Sequence, residues 1–158
     1  MSIDELRDFG LAKMTDPEIA NFLAGQRVGV LALPEEGAPY LFPISYGFDG
    51  DDSLYFTYVA GSSSRKQQAT DAAETASFLV FAVDTMYSWE SVLLTGRLEP
   101  VSESAWDDVE ALLADVWTPE LFENASLSGD VELYEFRIED RSGVKHQGLP
   151  PGLEPRGS

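Results

Sequence analysis

Basic residues are scarce in this chain, 10 against 28 acidic ones, and two of them adjoin at a single place, Arg65-Lys66. The pair follows Gly61-Ser62-Ser63-Ser64, just where a short helix is expected to begin. Amide N–H groups at a helix start, serine hydroxyls, a guanidinium fork and an ammonium together make a site for an anion, most naturally a phosphate monoester. The same residues would also serve as an ordinary Ser-capped helix whose two bases pair with surface carboxylates. The residue types alone leave both readings open.

Other chemistries are bounded by what the chain contains. It has no cysteine and one histidine, His146. Thiolate nucleophiles, disulfides, iron–sulfur clusters, Cys-based zinc sites and paired-histidine metal sites are excluded by arithmetic, and no metal is expected. A serine nucleophile among Ser62–Ser64 would need a base, and the lone histidine lies far along the chain in what reads as a tail. The run Asp49-Gly50-Asp51-Asp52 is a hairpin signal. It is not a calcium loop, because an EF-hand beginning at Asp49 needs Glu at its twelfth position and finds Ala60. Neither a G-x-G-x-x-G nor a G-x-x-x-x-G-K-[ST] motif is present, so a dinucleotide-binding Rossmann domain or a P-loop is unsupported.

The net charge of −18 sets the partners. So acidic a surface repels nucleic acid and anionic lipid, so neither is an expected partner. The carboxylates are spread along the whole chain and Lys is scarce, which resembles the proteins of salt-in halophiles, where high salt screens self-repulsion. A mildly acidic mesophilic protein is the plainer alternative. No apolar run is long enough to cross a bilayer, and Asp4, Glu5, Arg7 and Asp8 interrupt any leader-like stretch. A cytoplasmic protein is expected. Its 158 residues suit one domain over residues 1–150. Residues 151–158 read as a tail, with Gly157-Ser158 set aside as resembling an added scar.

The elements that would position the anion site are mostly strands. A helix is expected over 15–24, with Thr15 as cap, Pro17 in the first turn and Glu18 completing a capping box. Strands follow at Arg27–Leu33, Tyr40–Phe48 and Ser53–Val59, with Pro43 marking an edge or bulge in the second. After the helix near Arg65 come strands at Thr75–Asp84 and Trp89–Val101, a helix over about Glu103–Trp117, and a last strand at Val131–Glu139. Trp106, Val109, Leu113 and Val116 lie at helical spacing and suit core packing. About six hairpin-linked strands with two or three helices point to a mainly β fold, an antiparallel barrel with flanking helices.

Within that frame, Leu54-Tyr55-Phe56-Thr57, a short loop, and Ser64-Arg65-Lys66 resemble the FMN-binding pattern of the pyridoxamine 5'-phosphate oxidases. The similarity continues through Phe78–Asp84 and Trp89-Glu90-Ser91-Val92-Leu93-Leu94-Thr95-Gly96-Arg97. Upstream, Met14-Thr15-Asp16-Pro17-Glu18-Ile19 and Pro39-Tyr40-Leu41-Phe42-Pro43-Ile44-Ser45-Tyr46 resemble the small relatives grouped with the nitroimidazole-resistance proteins. The resemblance covers about residues 12–142.

It implies an FMN-binding split β-barrel that forms a homodimer with the flavin at the subunit interface. Phosphate contacts would fall on Ser64, Arg65 and Lys66. Contacts to the ring and ribityl chain would fall on Ile44, Ser45, Tyr46, Phe56 and Thr57, and Ser91 stands where the oxidase has a polar amide near the flavin. The basic residues with which the oxidase holds pyridoxamine phosphate near its C-terminus have no counterpart. The expectation is therefore an FMN-dependent oxidoreductase acting on a small molecule other than pyridoxamine phosphate. A deazaflavin in place of FMN, or a flavin-binding module without turnover, are the alternatives. The catalytic residues are unknown, since a flavin brings its own hydride chemistry.

Overall fold

The structure, a computed structural model, describes residues 10–59, 65–113 and 131–147. Among these residues there are seven strands: β1 (Leu11–Lys13), β2 (Val28–Leu33), β3 (Tyr40–Phe48), β4 (Ser53–Val59), β5 (Ala76–Thr85), β6 (Ser88–Pro100) and β7 (Val131–Gln147). The strand order is β1-β7-β4-β3-β2-β5-β6, and a further pairing of β6 with β7 closes six of the strands into an antiparallel barrel. Alternation puts Leu54, Phe56 and Tyr58 of β4, and Phe78 and Val80 of β5, inside. Phe78 sits at the centre, edge-on to Tyr46 with ring centroids 5.4 Å apart and 5.0 Å from Phe56.

The local signals hold. Helix α1 (Asp16–Gly25) carries the expected capping box between Thr15 and Glu18, with Ile19, Phe22 and Leu23 buried. Asp49 Oδ1 accepts from the amides of Asp51 (2.8 Å) and Ser53 (3.1 Å), and Gly50 takes the positive φ that this turn needs. Helix α1 closes one barrel end, where the Tyr46 hydroxyl donates to the Leu23 carbonyl at 2.7 Å. Helix α2 (Arg65–Ala72) lies at the other end.

Three differences from the sequence reading matter. Strand β7 runs on to Gln147, eight residues past Glu139, so His146 lies in a strand and not in a tail. The stretch Arg141–Gln147, read from sequence as part of a short tail, belongs to this strand. In the fold β6 pairs with it along its length, and β1 pairs with Val144, Lys145 and His146 near its end. Strand β1 itself is three residues long and too short to announce itself. Finally, the expected helix over Glu103–Trp117 begins as a 3-10 turn (Glu103–Ala105) and continues as α3 (Trp106–Leu113), which packs Val109 and Leu113 against Leu133 on the outside of the barrel. Val116 and Trp117 lie outside the described residues.

Candidate functional site

Helix α2 is polar, so it is not held in place by an apolar stripe. Two tyrosines fasten it instead. Thr70 donates its hydroxyl to the Lys66 carbonyl at 2.7 Å, which leaves the Tyr58 hydroxyl to donate to Thr70 Oγ1 at 2.6 Å. The Tyr134 hydroxyl donates to Asp71 Oδ1 at 2.9 Å. The two rings lie 4.7 Å apart. Burial pushes the Tyr58 phenol up to about 12 and moves Tyr134 in the same direction. Both therefore stay protonated and able to donate.

This anchoring sets the first turn of α2 over the start of β3. The Arg65 guanidinium lies 4.0 Å from the centroid of the Tyr40 ring, and Lys66 Nζ lies 4.9 Å from that of Phe42. Arg65 Nη2 also donates to Glu35 Oε2, in the β2–β3 turn, at 3.0 Å. The expected cation pair is thus assembled, with both bases exposed. The sequence reading did not single out Glu35, which lies 30 residues away from Arg65 and has no local signal.

The barrel wall is open beside this pair. Strands β3 and β4 pair at Tyr46–Phe56, Gly47–Tyr55 and Phe48–Leu54, and the ladder stops there. Beyond it, β3 continues along β2 and β4 along β7, so the two strands part toward the end where α2 begins. The bond from Tyr46 N to Arg27 O sets the alternation along β3. It turns the backbone of residue 43 away from β2 and toward this split, a position where a proline costs no ladder bond. Pro43 is the edge signal of the sequence, now explained.

The residues expected to hold the ring and ribityl chain divide by face. Tyr46 and Phe56 are fully buried inside the barrel, so only their backbone is available to a ligand outside it. Ile44 packs half-buried against the core. Ser45 on β3 and Ser91 on β6 face outward and are half-buried. Thr57, on β4 just past the last β3–β4 pair, is buried and its Oγ1 has no hydrogen-bond partner among the described residues. Ser64 lies outside the described residues.

Ser45 and Ser91 share an outward face with a distinct composition. Across β3, β2, β5 and β6 the residues on this face are Leu41, Pro43 and Ser45, then Val28, Val30 and Ala32, then Ser77 to Val83, then Trp89 to Thr95, at alternate positions. None is charged, in a chain of net charge −18. Leu41, Phe81, Val83 and Val28 are each more than half exposed. His146 borders it: the ring stacks on Trp89 with centroids 6.2 Å apart, and Nδ1 donates to the Tyr87 carbonyl at 2.6 Å.

A closed antiparallel barrel split along one seam, with a helix start and two cations at the seam, defines a split-barrel protein with a basic mouth. The chain belongs to the pyridoxamine 5'-phosphate oxidase family, whose sequence pattern it matches over residues 15–145. An FAD-binding protein from Mesorhizobium loti is similar in structure, with a TM-score of 0.69 and 26% identity, covering 87% of this chain and 99% of that one. An FAD and heme binding protein from Mycobacterium smegmatis gives a TM-score of 0.71 at 18% identity, covering 91% of this chain and 77% of that one. An FAD binding protein from the same organism gives 0.67 at 13%, covering 87% of this chain and all of that one. The last two likenesses speak for the fold alone. Among curated protein sequences, none matches the chain. No helix among the described residues is long and apolar enough to cross a membrane.

Proposed function

We propose that this chain binds FMN along the β3–β4 split and acts as a flavin-dependent oxidoreductase on a small molecule. The observation that carries the reading is the Arg65-Lys66 pair, the one adjacent basic pair of a strongly acidic chain, set by two buried tyrosines at the open seam of the barrel. In that place the pair suits a phosphoryl group, and Ser64, which precedes it in the chain, would add a hydroxyl. Thr57 Oγ1 fits the same reading, since a buried hydroxyl without a partner is costly unless a ligand completes it. Ile44, Ser45 and the backbone of Tyr46 and Phe56 would line the ring, and Ser91 would face it.

A bound flavin supplies the hydride transfer. The chain's own part is to hold the phosphate, to offer backbone and hydroxyl groups to the ring and to exclude water from it. We further propose that a second copy of the chain covers the uncharged outer face, because an exposed apolar sheet face of this extent is the usual mark of a protein interface. With it, Ser45 and Ser91 would lie at the subunit boundary, close to the flavin.

The test is the visible spectrum of the purified full chain, with release and mass analysis of any chromophore. FMN is the expected product of release. FAD, suggested by the names of similar structures, or a deazaflavin would use the same cation pair and is distinguished by mass. Arg65→Ala should lose the chromophore. Reduction of the bound flavin by a nicotinamide, then reoxidation faster than free FMN, would establish turnover. Its absence would leave a binding module, and a protein that binds no flavin at all would overturn the reading.

A further inference from the structure

We infer that Glu35 is a built-in competitor for the anion site, a carboxylate that occupies Arg65 until a phosphorylated ligand displaces it. The inference rests on the proposed phosphate site. Glu35 belongs to the turn Pro34-Glu35-Glu36-Gly37, which Gly37 closes with a φ of 85°. Its side chain is 28% exposed while that of Arg65 is 67% exposed, so the carboxylate is the better enclosed partner and the guanidinium reaches out to it.

Arg65 has two contacts of different kinds. Its face lies on the Tyr40 ring, and one edge, through Nη2, donates to Glu35 Oε2 at 3.0 Å. The stacking contact does not use the N–H groups, so it keeps the guanidinium in place whichever anion those groups hold. A carboxylate oxygen here stands where a phosphoryl oxygen would be bound. A phosphate monoester carries nearly two negative charges and cannot share this edge with Glu35 without repulsion. Ligand entry is therefore an exchange of anions on a fixed cation. Glu35 lowers affinity for the phosphorylated form of the ligand and leaves the affinity for the ring alone unchanged.

The experiment is a fluorescence titration of the chromophore-free full chain with FMN and with riboflavin, which has the same ring and no phosphate. It compares the native chain with Glu35→Gln, Glu36→Gln and Arg65→Ala, at low salt and in molar KCl. Glu35→Gln should tighten FMN roughly three- to tenfold at low salt, as for loss of an exposed ion pair plus a like charge. The gain should fade in high salt, and riboflavin should be unaffected. Glu36→Gln removes the same charge from the next, exposed position and should change little. Equal FMN affinity of the native chain and Glu35→Gln, with Arg65→Ala weakened, would overturn the inference and leave the phosphate site standing. An equal gain from Glu36→Gln, or a gain shared by riboflavin, would overturn it too, the first as bulk charge and the second as an effect away from the phosphate. No loss of FMN binding in Arg65→Ala, or no binding by any variant, would overturn the phosphate site and the inference with it.

Discussion

At the scale of single residues, the proposed site joins a polar group that lacks a partner among the described residues to cations placed by other residues. Thr57 Oγ1 is buried and unpaired among the described residues, so the ligand-free protein carries its desolvation cost. Thr57→Val replaces the hydroxyl by a methyl of similar volume. The ligand-free variant is expected to be as stable as the native chain or more so, by about 1 kcal/mol, as read from urea midpoints. Flavin binding by the same variant should weaken several-fold. A hydroxyl with only a packing role would instead leave binding unchanged. Arg65 is the converse case, exposed but oriented from both sides by Tyr40 and Glu35. Its geometry is set by neighbours rather than by burial.

At the scale of elements, α2 and the long strand β7 are what bring the site together. Tyr134 reaches from β7 to Asp71 of α2, and Tyr134→Phe removes that bond alone. It should cost about 1 kcal/mol of stability and weaken flavin binding, since the helix start that carries Arg65 and Lys66 loses one of its two anchors. β7 itself depends on a bulge at Glu139, where its register with β6 shifts between Thr95 and Gly96. A Cβ at Gly96 would stand 2.1 Å from the Arg137 carbonyl oxygen, a backbone atom that cannot swing away. Gly96→Ala is therefore expected to destabilise the barrel by about 2–4 kcal/mol, measured by chemical unfolding. The far end of β7 is tied to α1 by the Lys145–Glu18 ion pair. The bond from Lys145, more than the capping bonds of Thr15, holds the Glu18 carboxyl below its ordinary value of 4.5. A carboxyl lowered in the folded state stabilises the fold fully above its unfolded value and loses that contribution as pH falls. The difference in Tm between the native chain and Lys145→Met should thus be present at neutral pH and vanish on acidification below 4.5.

The whole molecule combines a strongly acidic chain with one uncharged face of four strands. Repulsion among carboxylates opposes compaction and association, and salt screens it. Tm and dimer content are expected to rise together with KCl, as followed by thermal melts and light scattering; equal values at low and near-saturated salt would remove the argument for a salt-adapted protein. Phe81→Glu places a charge in the exposed centre of the uncharged face and should yield a monomer with its far-UV spectrum unchanged. The core sets the alkaline limit. Burial raises the Tyr58 phenol from 10.0 to about 12, and raises Tyr46 and Tyr134 as well. A raised phenol favours the fold below its unfolded value and withdraws that support as pH climbs through the folded one. Stability should therefore hold to about pH 10 and fall between there and about pH 12, with phenolate absorbance appearing as the barrel opens.

Local chemistry was legible in the chain alone. The capping box of Thr15 and Glu18, the Asp49 turn and the strands Tyr40–Phe48 and Ser53–Val59 lie where their residues imply, because each depends on neighbours a few positions away. The mainly β barrel followed from the same short-range alternation, and the Arg65-Lys66 pair stood out against the acidic background. Tertiary structure decided the rest, because the deciding contacts span tens of residues. Pairing with β1 and β6 made a strand of Asp140–Gln147 and put His146 against Trp89. Closure of the barrel put Tyr46 and Phe56 inside it and left Ser45 and Ser91 outside, a choice that period-two alternation cannot make until the register is known. And the packing of α2 across the barrel end brought Glu35 to Arg65, placing a carboxylate on the proposed anion site.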